Sequence, residues 1–256
     1  MDEIVSRKSS TRDTFESLVV TVILAIFGTT FVLQAFKIPT GSMENTLLIG
    51  DHLLVNKFIF APQGGVLANL LPYRDLRRGD VVVFKFTPTD EQTEPGEHFV
   101  KRVMGVPGDH IRIFHRQVFV NGKALNEPYV RHEPAYVEEL RPGDDFPPPD
   151  SEYLSGATSS WDAEMAAAVK DGELIVPPEK YFVMGDNREQ SWDSRFWGFV
   201  PRSVVSGRPL LIYWSFDTAH DEYLHNSLRD RISQVIDLII HFPTKTRWRR
   251  TLNIVR

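Results

Sequence analysis

The sequence predicts a mainly β protein: an antiparallel, partly closed β-sheet domain behind one N-terminal transmembrane helix, with an irregular insertion and a C-terminal helical tail. Three observations predict it. Residues 17–36 contain no charge, and twenty helical residues reach about 30 Å, the thickness of a bilayer's hydrocarbon. Beyond them, short β-branched and aromatic segments recur between Gly-Asp and Asn-Gly turn signals. Near the end, the apolar spacing changes to the helical period.

Residues 1–16 are expected in the cytoplasm and 17–36 in the membrane. Arg7, Lys8 and Arg12 precede the apolar run, and only Lys37 follows it closely. Excess positive charge stays inside, so residues 37–256 fall outside. A buried core helix would keep a polar face. A cleaved leader would show a shorter apolar core and a small-residue cleavage site. The run has neither signature.

The β domain is drawn from residues 37–122 and 177–216. Strands are expected at 53–58, 80–86, 99–104, 109–114, 117–120, 179–184 and 208–214. Gly50-Asp51, Gly79-Asp80 and Gly108-Asp109 introduce several of them, and Asn121-Gly122 marks a tight hairpin. Residues 123–176 break the pattern. Pro142 and the run Pro147-Pro148-Pro149 lie there, and residues 127–176 hold twelve acids against three bases. An acidic, Pro-rich solvated insertion fits, with a short helix at 161–170.

The tail, residues 217–256, places Leu224, Leu228, Ile232, Val235, Ile236, Ile239 and Ile240 at helical spacing. Residues 229–256 hold seven bases against two acids. Two readings stand: a helix packed on the β domain, or an amphipathic helix on the membrane with Arg247, Trp248, Arg249 and Arg250 at the headgroups. Asp237 argues against a second span.

Composition excludes some chemistry. The chain has no cysteine, so disulfides, thiolate catalysis and zinc–thiolate sites are out. A net charge of −5 gives no case for nucleic acid.

Three segments hold candidate reactive groups. In the first, Ser42 sits in Pro39-Thr40-Gly41-Ser42-Met43, six positions beyond the apolar run. Pro39 fixes φ on the approach, and Gly41 lets the backbone pass close to a ligand. A nucleophilic serine needs a base. His52 and His98 flank the region, yet neither sits in a convincing triad. In the second segment, Lys101 lies in a strand among Phe99, Val100, Val103 and Met104. A desolvated lysine can act as a base, because burial lowers its pKa from about 10.4. The plainer reading is an edge-strand lysine that discourages aggregation. The third segment runs through residues 184–200. There Asp186, Asp193 and Arg195 can form an ion-pair brace, and Ser191 can bond to a neighbouring base. Asp186, Asn187 and Asp193 also offer hard oxygens for a metal, although Arg188 and Arg195 already supply cations.

Together these segments resemble the bacterial type I signal peptidases, the leader peptidases that work through a Ser/Lys dyad. Pro39-Thr40-Gly41-Ser42-Met43 with Thr46-Leu47 and Gly50-Asp51 is similar to the family's nucleophile box. Phe99-Val100-Lys101-Arg102-Val103 with Gly105 and Pro107-Gly108-Asp109 is similar to its lysine box. The run from Gly185-Asp186-Asn187 through Ser191-Trp192-Asp193-Ser194-Arg195 to Gly198 is similar to its last box. The order is the family's, and the likeness covers roughly residues 15–215.

The resemblance implies a membrane-anchored serine endopeptidase that removes signal peptides from exported preproteins. Ser42 would be the nucleophile and Lys101 the general base. Ser191 would orient the amine, and Asp193 and Arg195 would brace the site. The Ser42 N–H and the Thr40 side chain would form the oxyanion hole. Ile38, Met43, Leu47, Phe99 and Val100 would line shallow pockets for small residues. No cofactor or metal is implied. Preproteins, the bilayer and the secretion translocon would be the partners, at the outer face of the bacterial cytoplasmic membrane. Two positions depart from many relatives: Thr40 stands for serine and keeps the hydroxyl, and Asn45 stands for proline, which is expected to loosen the turn. The rival readings are a specialised Ser/Lys processing protease for a pilin or transfer system, and a non-catalytic membrane-anchored β scaffold.

Overall fold

Alternating side chains sort the central strands between three apolar clusters, which is why one sheet can be buried on both faces. The computed structural model describes residues 10–60, 74–85, 97–133, 143–148, 159–218 and 227–255. Its strands are β1 Leu33–Lys37, β2 Asp51–Asn56, β3 Val81–Lys85, β4 His98–Gly105, β5 His110–Phe114, β6 Gln117–Val120, β7 Lys123–Ala124, β8 Val169–Lys170, β9 Glu173–Ile175, β10 Lys180–Met184, β11 Val200–Pro201, β12 Val205–Ser215 and β13 Asn253–Ile254. The α-helices among the described residues are α1 Ser10–Phe27, α2 Ser159–Ala168, α3 Ser194–Trp197 and α4 Leu228–Lys245.

The larger sheet has the order β1-β2-β12-β3-β4-β10-β11, with β13 on β12. All its pairings are antiparallel. On β3, Val81 and Val83 enter a cluster with Ile38, Met43, Leu47, Leu53 and Val55. Val82 and Phe84, on the other face, join Val103, Tyr181 and Val183. The smaller sheet, β7-β6-β5-β9-β8, packs on the third cluster, built around Ile111, Val118, Leu174, Phe146 and Phe182. Strand β12 lies between β2 and β3, so within the sheet the N-terminal pair β1-β2 and the pair β3-β4 are joined by a strand that comes far later in the chain.

Three expectations need correction. Residues 17–36 are not one helix. Helix α1 ends at Phe27, a π-helical segment covers Gly28–Val32, and Leu33–Lys37 pairs with β2. Gly28 and the β-branched Thr29, Thr30 and Val32 weaken the helix there, and β2 offers residues 33–37 a full ladder of partners. Among the described residues, no helix is long and apolar enough to cross a membrane. Residues 11–27 are nonetheless all exposed, and the hydroxyls of Thr21 and Thr29 donate back to the carbonyls of Ser17 and Ala25 at 2.8 Å each.

The insertion is irregular at residues 125–133 and 143–148 but regular at 123–124, 159–170 and 173–175. Helix α2 starts and ends two residues before the expected one, and β7, β8 and β9 complete the second sheet. Pro142 and Pro149 lie outside the described residues.

The tail divides. On the apolar stripe of α4, Ile236, Ile239 and Ile240 are each more than half exposed, so this part of the stripe does not pack on the β domain; Leu224 lies outside the described residues. Beyond it, Phe242 stacks on Trp214, and Arg247 and Arg250 turn inward to Asp51. Two of the four expected headgroup residues are therefore ion-paired inside the protein.

Backbone proximity makes a sharp stability prediction. A Cβ on Gly207 would lie 2.3 Å from the Asn56 carbonyl oxygen, whereas one on Gly28 would meet nothing within 4 Å. Gly207→Ala is expected to cost about 1–3 kcal/mol in chemical denaturation. Gly28→Ala should cost nothing or stabilise slightly. Equal effects would contradict the packing of β12 on β2.

Candidate active site

The loop that carries Ser42 leaves β1 and returns to β2, and its neck is closed by backbone bonds. The Ile38 N–H donates to the Asp51 carbonyl at 2.8 Å, and the Gly50 N–H donates to the Ile38 carbonyl at 3.0 Å. Thr40 is extended, and its side chain makes no capping bond to the 3₁₀ turn Gly41–Met43 that follows. Asn187 holds that turn from the last box. Its backbone N–H donates to the Ser42 carbonyl at 3.1 Å, and its side-chain amide donates to the Gly41 carbonyl at 3.2 Å.

Asn45 has φ 85°, a region that asparagine tolerates and that proline, fixed near −65°, cannot enter. The turn is thus built on a left-handed residue rather than loosened by the lack of a proline. The Asn45 amide also donates to the Val130 carbonyl at 3.3 Å.

Lys101 lies on β4, between β3 and β10, so it is an interior-strand residue and not an edge lysine. It is 3% exposed. Its Nζ donates to Ser191 Oγ at 3.1 Å, and Ser191 Oγ donates to Asp193 Oδ2 at 2.7 Å. Burial brings the Lys101 amine down to about 8; Asp193 and Asp186 oppose this, and Arg195 pushes with it. Burial alone would raise the Asp193 carboxyl, but the Arg195 guanidinium, with Lys101 and Ser191, holds it below its usual range.

Asp193 is the junction of the box. It caps α3 by accepting from the Arg195 N–H, and it accepts from the Gly185 N–H at 3.0 Å. Arg195 grips both its oxygens at 2.9 and 3.0 Å. Gly185 has to be glycine for a steric reason. A Cβ there would lie 2.3 Å from Ser191 Oγ and 2.5 Å from the Ser42 carbonyl oxygen.

Arg102, the next residue on β4, reaches Asp186 with two bonds of 2.8 and 2.7 Å. Thr46 donates its hydroxyl to the same carboxylate. Both Asp186 and Asp193 therefore already have guanidinium partners, which removes the basis for reading them as metal oxygens. His52 is stacked on Trp214, with centroids 4.6 Å apart. His98 lies at the cleft against Phe36, and burial, with Lys85 and Lys57, lowers its pKa.

Ser42 and Lys101 line one cleft of about 210 Å³, with Ile38, Thr40, Met43, Phe99 and Val100 on its walls. The structure thus brings together nearly every residue singled out in the sequence. Leu47 is the exception: it is fully buried in the cluster beneath the turn and supports the cleft instead of lining it. The sequence reading missed Glu97, Gln190 and Trp192 on the walls and the bracing by Asn187, and it weighed His98 only as a base. Their adjacency to the lysine box and to Ser191 was the available signal.

A serine hydroxyl and a dry amine on one apolar cleft are the parts an acyl-transferring hydrolase needs. A family model of signal peptidases, peptidase S26, matches residues 11–214. A probable signal peptidase I-2 of Synechocystis sp. is 37% identical over 201 residues, covering 78% of this chain and 71% of that one. Signal peptidase I of Pseudomonas fluorescens is 34% identical over 215 residues, with 78% and 71% covered. Signal peptidase I of Aquifex aeolicus is 32% identical over 223 residues, with 76% and 81% covered. The chain belongs to the signal peptidase family, peptidase S26, and is a serine peptidase by class.

The buried amine is directly measurable. In a protein carrying ¹³C-labelled lysine, the Lys101 signal should titrate with a midpoint near pH 8. A midpoint near the ordinary 10.4 would mean that the site is wet.

Proposed function

We propose that the protein removes signal peptides from exported preproteins, with Ser42 as nucleophile and Lys101 as general base. The observation that carries this reading is the Lys101 amine, buried, lowered to about 8 and sharing an apolar cleft with Ser42. Neutral Lys101 takes the proton as Ser42 Oγ attacks the scissile carbonyl carbon. The negative charge that forms on the carbonyl oxygen is met by the Ser42 N–H and the Thr40 hydroxyl, each donor contributing about 2.7–4 kcal/mol. Protonated Lys101 then gives its proton to the leaving amine, and the mature protein departs. Water, deprotonated by the same amine, hydrolyses the acyl-enzyme. Ser191 and Asp193 hold the amine in place throughout. The small apolar cleft suits small side chains before the cleaved bond.

Attachment to the bilayer through α1 belongs to the same reading. An apolar helix exposed around its whole circumference needs a lipid or protein cover, and residues 18–27 are exposed throughout. The α1 hydroxyls that bond within the helix suit such a setting. The basic residues Arg7, Lys8 and Arg12 favour an N-terminus in the cytoplasm, with the catalytic domain on the outer face.

Cleavage of a signal-peptide-bearing preprotein by the purified full-length chain in detergent tests the assignment. Ser42→Ala and Lys101→Met should each lower kcat by about 10³-fold or more. Parental rates in either variant would sink the dyad. The active form of the base is the neutral one, so activity should fall as pH drops below about 8 and level off above it. A rate unchanged from pH 9 to pH 5 would exclude a lysine base.

A further inference from the structure

The loop that presents Ser42 is gripped on its far side by the C-terminal tail. Asp51, at the end of that loop, is fully buried. Its Oδ2 accepts from the Leu48 N–H at 2.8 Å, and its Oδ1 accepts from Ser215 Oγ at 2.6 Å. Arg250 donates to Oδ2 at 2.6 Å and to Oδ1 at 3.3 Å. The same guanidinium donates to the Thr46 carbonyl at 3.0 Å. Val255, five residues on, is 4% exposed and packs in the cluster of Ile38, Met43 and Leu47.

A buried carboxylate needs a cation, and Arg250 satisfies that need by charge alone. The bond to the Thr46 carbonyl does something further, because it ties the tail to the middle of the loop. Thr46 is itself shared: its hydroxyl bonds Asp186, the partner of Arg102, which adjoins Lys101 on β4. Through this one residue, Arg250 is linked both to the segment that presents the hydroxyl and to the strand that presents the amine.

We propose that Arg250 is a positioning residue for peptide-bond cleavage, holding residues 38–51, and with them the Ser42 hydroxyl, in register with Lys101. The proposal rests on the nucleophile and base assigned above. Arg250 touches no substrate; it acts through Asp51 and Thr46. Removing it alone would strand Asp51 with Arg247 Nη1, 3.9 Å away, as its remaining cation, and such a variant risks unfolding. Pairing Arg250→Met with Asp51→Asn removes both charges and leaves a side-chain oxygen to accept from Leu48.

The test compares the parent, R250K, the D51N/R250M double variant and S42A as full-length chains in detergent on one preprotein. It measures kcat, KM, the pH midpoint of kcat and the melting temperature. A displaced nucleophile predicts that kcat of the double variant falls about tenfold to a hundredfold. KM should rise much less than kcat falls, because residues 38–43 form only part of the cleft wall, and the pH midpoint should be unchanged, because the bond of Lys101 to Ser191 is untouched. R250K keeps the charge without the planar fork and should recover part of kcat at a parental melting temperature. A double variant with parental kcat overturns the proposal, as does a loss of activity that only tracks the unfolded fraction. If the double variant does not fold, R250K decides: reduced kcat in a folded protein supports the proposal, and parental kcat overturns it. Cleavage by S42A at the parental rate overturns the nucleophile assignment instead, whatever the Arg250 variants do.

Discussion

The Lys101 amine is held dry, and most of the geometry around it serves that end. Ammonium groups shed their charge when water is removed, provided that no anion replaces the water too well. Asp193 is close enough to do so. Arg195 is what keeps it from doing so, by occupying both carboxylate oxygens. Ser191 then stands between the amine and the carboxylate as a neutral intermediary, bonded to each. The lysine gains an orienting contact without a full salt bridge, and its pKa settles at about 8.

This arrangement makes the segment after β10 a frame rather than a loop. Gly185 lets Ser191 and the Ser42 backbone pass within contact distance, Asp186 holds the neighbour of the lysine, and Asn187 holds the turn that presents the serine. Consecutive residues thus reach three different elements. The exposed apolar surfaces of α1 and α4 lie outside this frame, so the exposed apolar helix faces and the cleft are built from separate parts of the chain.

Much of this was legible in the sequence, and the failures have physical causes. Lys101 could be picked out because a charge among apolar strand residues is costly unless used, Ser42 because Pro39 and Gly41 constrain its turn, and Ser191 and Asp193 because polar groups crowd their segment; the resemblance supplied their roles. The β3 and β4 strands were legible from their β-branched residues. The boundary between α1 and β1 was not, because an uncharged run has no period and reads alike as helix or strand until its partner, β2, is known. Leu47 was misplaced because apolarity alone does not separate the wall of a cleft from the core beneath it. Arg247 and Arg250 looked like headgroup ligands because charge is visible in a sequence and a buried counter-charge two hundred positions away is not. Asn45 carried its signal openly: asparagine in a turn favours left-handed backbone, and only the comparison with proline obscured it.

The position of β12 between β2 and β3 has a temporal consequence. The hairpin-like pair β1-β2 presents the serine and the pair β3-β4 presents the lysine, yet neither pair bonds the other. Each can form early from local contacts, whereas the strand that joins them must close a loop of more than a hundred residues. Until that strand docks, no ladder joins the strands beside Ser42 to the strand that carries Lys101. The cleft that holds Ser42 and Lys101 is therefore completed by non-local pairing, and the slow step expected in its assembly is the docking of β12.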